Sequence, residues 1–136
     1  MCACDGLRRA TRGVTQHYDA VVAESGLKVT QLPILVALGS AGDLSVTALA
    51  GALALDRTTL TRNLRVLEDR GLLHTYTREE DARMRVVSLT PEGSAVLRRA
   101  LERWETVQDE VQERFGSERL RALLGELAAL SAVLDG

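Results

Sequence analysis

The stretch LDRTTLTRNLRVLEDRGLL, residues 55–73, contains most of the information that decides the fold of this chain. Three apolar side chains recur at helical spacing and predict one buried helix face: Leu60, Leu64 and Leu67. Asp56 is a favourable N-cap, and Gly71 stands where a helix commonly ends in a left-handed residue. The stretch therefore predicts a capped amphipathic helix over residues 56–70.

The opposite face of this helix is cationic and rich in hydroxyl groups, with Thr58, Arg62 and Arg65 nearly opposite the leucines. From Arg57 to Arg65 there are three arginines and no acid, whereas a face that is only solvated usually mixes both signs. Arginine and threonine side chains bind phosphate oxygens and base edges. The pattern favours DNA recognition over an ordinary solvated helix face.

The whole chain is 136 residues long with a net charge of −2, so a basic surface must be local. Residues 91–136 carry six basic and nine acidic side chains, which places the excess of acid near the C-terminus. No segment approaches the roughly 20 apolar residues of a membrane helix, and the N-terminus lacks the apolar region of a signal peptide. We therefore expect a cytoplasmic protein that does not enter a membrane.

The remaining pattern predicts a mainly α protein with a small β part. A helix over about residues 5–24 precedes a second helix capped by Thr30, and Ser45 caps a short third helix. After the helix at 56–70, two strands are predicted at 72–78 and 84–89, joined by the charged EEDAR. Thr90 then starts a long helix, and a last helix follows the break at Gly116. The order predicts a winged helix-turn-helix flanked by N- and C-terminal helices.

In this architecture the second helix of the pair enters the major groove with its first residues toward the bases. Five side chains near its start are the candidates for base contact: Arg57, Thr58, Thr59, Thr61 and Arg62. Arg65 lies further along and is expected to meet a phosphate. Ser45 and Thr47, at the start of the preceding helix, are expected to bind the DNA backbone.

The predicted wing covers residues 75–89 and has REEDARMR at its tip. Arg83 is the candidate for the minor groove, and Arg85 on the same strand is a further DNA-contact candidate. Asp81 stands two residues before Arg83, close enough to orient its guanidinium by a charge-assisted hydrogen bond. The alternative interpretation, a charged turn that only keeps the hairpin soluble, remains open on these residues alone.

Residues 55–97 resemble the signature region of the MarR family of bacterial transcriptional regulators. The family pattern TRxLxxLExxGL, then DxR, then VxLTxxG is matched in order and spacing. The matching residues are Thr61, Arg62, Leu64, Leu67, Glu68, Gly71, Leu72, Asp81, Arg83, Val87, Leu89, Thr90 and Gly93. Glu79 and Glu80 depart from the pattern by making this wing more acidic than is typical.

The resemblance implies a homodimer in which residues 1–28 plus 91–136 form a helical dimerisation region and residues 29–90 form the DNA-binding region. It also implies that two winged modules bind a pseudo-palindromic operator in double-stranded DNA, usually to repress adjacent genes. Release by a small lipophilic or phenolic effector, an oxidant or a metal is common in the family. A non-sequence-specific architectural or protein-interaction dimer of the same fold is the alternative.

Two groups of residues are candidates for sensing such a signal. The resemblance places an effector pocket between the first two helices and the root of the long one, and the candidate lining residues are His17, Tyr18, Gln31 and Leu35. These side chains are also compatible with a core or interface role. Cys2 and Cys4 form a C-x-C pair suited to a soft metal or metalloid ion, or to a disulfide, unless the terminus is inert.

An enzymatic function is not predicted. The chain contains no P-loop, no HExxH and no GxSxG motif, and its two histidines lie far apart in sequence. We therefore expect neither catalytic residues nor a cofactor.

Overall fold

The computed structural model describes all 136 residues and contains six α-helices and a three-stranded sheet. The elements in chain order are α1 Ala3–Val22, α2 Leu32–Ala41, β1 Leu44–Ser45, α3 Val46–Leu53, α4 Arg57–Asp69, β2 Leu73–Arg78, β3 Asp81–Leu89, α5 Pro91–Phe115 and α6 Ser117–Asp135. A 3-10 turn, Ala23–Ser25, continues the path of α1. This order confirms the predicted winged helix-turn-helix between terminal helices.

Side-chain caps start three of the helices where the sequence predicted them. The Ser45 hydroxyl accepts a hydrogen bond from the Ala48 amide at 3.0 Å, and the Thr90 hydroxyl accepts one from the Gly93 amide at 3.0 Å. Asp56 caps α4 in the same way. Each cap satisfies a helix N–H group that has no partner inside the helix, which is why these boundaries are readable from local sequence.

The predicted start of α2 was wrong. Thr30 lies in a turn, and the helix begins one residue later than expected, at Leu32 with Gln31 as its N-cap. The Gln31 amide oxygen accepts a hydrogen bond from the Lys28 amide at 3.0 Å, which stabilises this turn. Gln31 thus closes the turn before α2, and no side chain caps the first amides of this helix.

The three strands form an antiparallel sheet in the order β1-β3-β2. Leu44 of β1 pairs with Val87, and Leu73 of β2 pairs with Leu89. The predicted loop EEDAR is shorter in the structure, because β3 already begins at Asp81 and pairs there with Arg78. We call the β2–β3 hairpin the wing.

One core joins the helix-turn-helix to the sheet and to the first half of α5. Its fully buried members come from every part of this unit and include Leu35, Leu49, Leu60, Leu67, Val87 and Ala100. Because Leu60, Leu64 and Leu67 are all at most 5% exposed, the polar side of α4 must face outward. This arrangement fixes the orientation of the candidate site.

The terminal helices are packed less completely. In α1 only Val22 is buried, and α6 has no buried residue. Leu7 and Val14 recur at helical spacing on the apolar side of α1, but they are 39% and 57% exposed in a single chain. The apolar faces of α1 and α6 therefore stay largely uncovered within a single chain.

Candidate nucleic-acid interface

Helix α4 is fixed at its start by a side-chain cap. The two carboxylate oxygens of Asp56 accept hydrogen bonds from the Thr59 amide at 3.0 Å and from the Thr59 hydroxyl at 2.5 Å. These bonds favour the ionised carboxylate and lower the pKa of Asp56 below its ordinary value, the hydroxyl bond being the larger cause. The negative cap also suits the positive end of the helix dipole.

The end of α4 is fixed by a Schellman motif. The Gly71 amide donates to the Glu68 carbonyl at 2.9 Å, and the Leu72 amide donates to the Leu67 carbonyl at 3.0 Å. Gly71 has φ +74, a conformation that costs a residue with a Cβ atom extra energy. The chain therefore turns directly from α4 into the wing.

The exposed side of α4 brings together most of the predicted base-contact residues. Four of the five line one shallow depression together with Arg65, the predicted phosphate contact, and no acidic side chain lies in it: Arg57, Thr58, Thr61 and Arg62. These four residues and Arg65 are all exposed. Their guanidinium and hydroxyl groups are donors of the kind that bind phosphates and base edges.

A second depression adjoins the first and connects α3, α4 and the wing. Its lining includes six predicted DNA-contact residues: Ser45, Thr47, Arg57, Asp81, Arg83 and Arg85. Arg57 belongs to both depressions, so the two surfaces are continuous. We call this continuous surface, lined by the ten predicted residues of both depressions, the basic face.

Thr59 is the one predicted DNA-contact residue that lines neither depression. It is half-buried, and its hydroxyl donates a hydrogen bond to Asp56 Oδ1. The structure therefore places Thr59 in the cap of α4 and not on the basic face.

The interaction predicted at the wing tip was wrong in detail. Asp81 Oδ1 accepts a hydrogen bond from the backbone amide of Arg83 at 3.0 Å and forms no ion pair with its guanidinium. Asp81 therefore shapes the turn and leaves the Arg83 side chain exposed on the basic face. Glu79 and Glu80 line a different depression, with residues of β2.

Sequence reasoning missed two contacts that fix the wing. Glu68 of α4 accepts hydrogen bonds from the Thr75 amide and hydroxyl of β2, at 3.0 and 2.8 Å. The Tyr76 hydroxyl donates to Asp43 Oδ2 at 2.7 Å, which lowers the pKa of Asp43 and raises that of Tyr76. Helix and strand periodicity places these side chains on faces but does not pair them.

The four predicted effector residues do not line one pocket. His17 and Tyr18 lie in an open groove of about 550 Å³ between α1, α5 and α6, most of whose lining is hydrophobic. Gln31 and Leu35 are not part of this groove; Gln31 is 5% exposed and Leu35 is fully buried in the core. The groove that the chain forms is thus at the terminal helices and not beside α2.

Polar groups at one end of this groove are already paired. The Tyr18 hydroxyl donates to Gln108 Oε1 at 2.5 Å, and His17 Nε2 lies 3.4 Å from Glu110 Oε2. Burial raises the pKa of Tyr18, which keeps its phenol protonated and able to donate.

The predicted thiol pair lies at the start of α1. Cys2 and Cys4 are both exposed and are not joined by a disulfide. No group of three or more His, Cys, Asp and Glu side chains is arranged to hold a metal ion. No helix is both long and apolar enough to cross a membrane.

Comparison with known proteins assigns this arrangement to a family. Residues 25–84 match the family model described as MarR family. The HTH-type transcriptional regulator PecS of Dickeya dadantii (strain 3937) is 30% identical over 127 residues, which cover 89% of this chain and 76% of PecS. The chain belongs to the MarR family.

Two transcriptional regulators whose structures were solved on DNA have the same fold. The M. tuberculosis transcriptional regulator MosR in complex with DNA is 36% identical, with a TM-score of 0.80 over 96% of this chain and 98% of MosR. The transcriptional repressor CouR bound to a 23-mer duplex is 29% identical, with a TM-score of 0.86 over 96% and 92% of the two chains. This MarR protein is a DNA-binding transcriptional regulator and not an enzyme.

Proposed function

We propose that the chain is a homodimeric, sequence-specific repressor that binds a pseudo-palindromic operator. The recognition helix α4 lies in the major groove, and the wing lies in the adjacent minor groove. The observation that carries this proposal is the basic face, on which α3, α4 and the wing present ten predicted contact residues together. Repression is favoured by the similarity to CouR, a transcriptional repressor that is bound to DNA.

The contacts divide by their place on the basic face. Arg57, Thr58, Thr61 and Arg62 lie toward the start of α4 and bind base edges, since the N-terminal part of a recognition helix reads the bases. Arg65 binds a phosphate one turn later. Ser45 and Thr47 bind the backbone, and the arginines of the wing, with Asp81 shaping its tip, bind the minor-groove side.

A second copy of the chain covers the apolar faces of the terminal helices. Exposed apolar side chains recur along α1 and α6: Leu7, Val14, Leu123, Leu124, Leu130, Val133 and Leu134. Leu7, Val14, Leu123 and Leu124 line one groove, and an exposed apolar surface of this kind marks an interaction site. Residues 1–28 and 91–136 thus form the dimerisation region, and residues 29–90 form the DNA-binding region.

The dimer provides the spacing that an operator requires. Two recognition helices related by a two-fold axis reach successive major grooves when their half-sites are about 34–36 Å apart. The acidic excess of residues 91–136 lies in the helices of the scaffold, where it does not oppose the phosphates at the basic face. An acidic protein can therefore bind DNA through a local basic surface.

The regulatory signal acts through the terminal helices. A small lipophilic or phenolic effector suits the part of the groove at His17 and Tyr18 that a second copy leaves open, because the lining is mostly apolar and the Tyr18 oxygen can still accept a hydrogen bond. Gln31 and Leu35, being buried elsewhere, respond to such an effector only through the core. A thiol signal at Cys2 and Cys4, from an oxidant or a soft metal or metalloid ion, is the second route.

The function is tested by selecting duplexes from a random-sequence DNA pool with the purified full-length chain. The expected result is a two-fold symmetric consensus with half-sites about 10 base pairs apart, bound by a dimer in sedimentation experiments. Binding without any consensus would instead indicate the architectural dimer. For the thiol route, operator affinity is compared between the wild type and Cys2→Ser/Cys4→Ser with hydroperoxide, zinc or arsenite; equal responses would remove that route.

A further inference from the structure

The contact between Glu68 and Thr75 joins the recognition helix to the wing on the side of the basic face. Glu68 Oε1 accepts two hydrogen bonds from Thr75, one from the backbone amide at 3.0 Å and one from the hydroxyl at 2.8 Å. Both residues are half-buried. A partly desolvated carboxylate that accepts two bonds from one residue holds that residue in a defined position.

Arg85 of β3 extends this contact across the wing. Its Nη2 atom donates to the Thr75 hydroxyl at 3.2 Å, while the same hydroxyl donates to Glu68. The chain of bonds Arg85–Thr75–Glu68 thus connects β3, β2 and α4. We call it the wing clasp.

The wing clasp lines the cleft between α4 and the wing together with Arg57, Thr61 and Arg65 of the basic face. An acidic residue at this position repels DNA phosphates and by itself reduces affinity. Glu68 forms no ion pair that would neutralise it. The position of Glu68 is therefore better explained by its hydrogen bonds to Thr75 than by a contact with DNA.

We propose that Glu68 is a positioning residue that sets the angle between the recognition helix and the wing. When α4 occupies the major groove, the wing clasp places the wing at the minor groove, so both contacts form together. This inference rests on the proposed function, because it assigns a role within DNA binding. It predicts that loss of the clasp separates the two groove contacts without removing the first.

Three variants distinguish positioning from charge. Glu68→Ala removes the acceptor and the charge, whereas Glu68→Gln removes the charge and keeps the amide oxygen as acceptor for both bonds. Asp69→Ala is the matched control, since Asp69 is the neighbouring exposed acid that lines the same cleft and makes no side-chain hydrogen bond. If the charge alone mattered, all three variants would tighten binding.

The readout is footprinting on a duplex selected by the wild-type protein, at saturating protein. Dimethyl sulfate reports guanine N7 in the major groove, and hydroxyl radicals report the backbone along the minor groove. For Glu68→Ala we expect the N7 protections to persist and the flanking minor-groove protections to disappear, with affinity lowered about tenfold or more. For Glu68→Gln and Asp69→Ala we expect the wild-type footprint.

Two outcomes would overturn the inference. If Glu68→Ala keeps both sets of protections, the wing does not depend on the clasp. If it loses both sets at saturation, Glu68 supports the domain as a whole and does not position the wing. A wild-type protein that selects no duplex would contradict the proposed function instead, so the two failures are distinguishable.

Discussion

The guanidinium of Arg70 donates a hydrogen bond to the carbonyl oxygen of Gly26 at 2.5 Å, joining residues that are 44 positions apart in the chain. Arg70 ends the recognition helix, and Gly26 lies in the turn after α1 with φ +87. The contact connects the DNA-binding unit with the end of a terminal helix. It also makes Gly26 sensitive to substitution for two reasons.

We predict that Gly26→Ala lowers the free energy of unfolding by about 1–3 kcal/mol. The left-handed backbone costs about 1–2 kcal/mol for a residue with Cβ, and that Cβ would lie 2.8 Å from Arg70 Nη2, so Arg70 must shift and its hydrogen bond to the Gly26 carbonyl, worth about 1 kcal/mol, is weakened. Gly71→Ala is the matched control, since φ is +74 there and the added Cβ meets nothing within 4 Å. Urea denaturation at one fixed protein concentration measures both; equal losses would show that the Arg70 contact contributes nothing.

A loss of stability is also predicted for Gly93→Ala, where the backbone of another segment leaves no room for a Cβ atom. A Cβ at this position would lie 2.1 Å from the Leu72 carbonyl oxygen, which already accepts a hydrogen bond from the Thr90 amide. Relief requires α5 to move away from the end of the recognition helix, at a cost of about 2–3 kcal/mol.

The control for Gly93→Ala is Gly51→Ala, in an exposed position of α3 where a Cβ meets nothing within 4 Å. Replacement of this helical glycine is expected to stabilise the protein by about 0.5–1 kcal/mol. Thermal unfolding of the two variants should shift in opposite directions. A wild-type melting temperature for Gly93→Ala would contradict the close packing of α5 against Leu72.

The features that the sequence predicts correctly depend on neighbours along the chain. Asp56, Ser45 and Thr90 each bind an amide three residues ahead, so their caps are visible in a short window. The same is true of Gly71, which ends α4 by bonds within the helix. Because α4 carries both its caps and its buried leucines locally, the part of the basic face that lies on α4 could be predicted almost completely.

The features that were missed depend on contacts between distant elements. Helical periodicity identifies Leu7 and Val14 as an apolar face but does not say whether the same chain or a second copy covers it. Asp81 was expected to bind the Arg83 side chain, but the tight turn brings the backbone amide closer. The predicted lining of the effector pocket was wrong for a related reason, because the Gln31 side chain closes the turn before α2.

We predict that the Asp56 cap makes stability fall in acid. Its pKa is lower in the folded protein, so its contribution is fully present above the ordinary value of 3.8 and is lost as the pH falls through the lower, folded value. Asn also caps helices but does not titrate here. The urea midpoints of wild type and Asp56→Asn should therefore approach each other as the pH falls from about 5 to below the folded pKa. A difference that stays constant over this range would contradict the charged cap.

Arg62 and Arg65 lie on the same exposed side of α4, but Arg62 is predicted to contact a base and Arg65 a phosphate. If Arg62 reads a base, Arg62→Ala costs about 1–3 kcal/mol on the selected duplex and relaxes the preference at one position of the consensus. If Arg65 binds a phosphate, Arg65→Ala weakens binding to all duplexes similarly and lowers the salt slope by about one.

Both variants are measured by fluorescence anisotropy on the consensus duplex, on single-base variants and on unrelated DNA, at several salt concentrations. Because each residue serves as the control for the other, exchanged behaviour would reverse the assignment of base and phosphate contacts. Unchanged binding in both variants would show that α4 does not lie in the major groove.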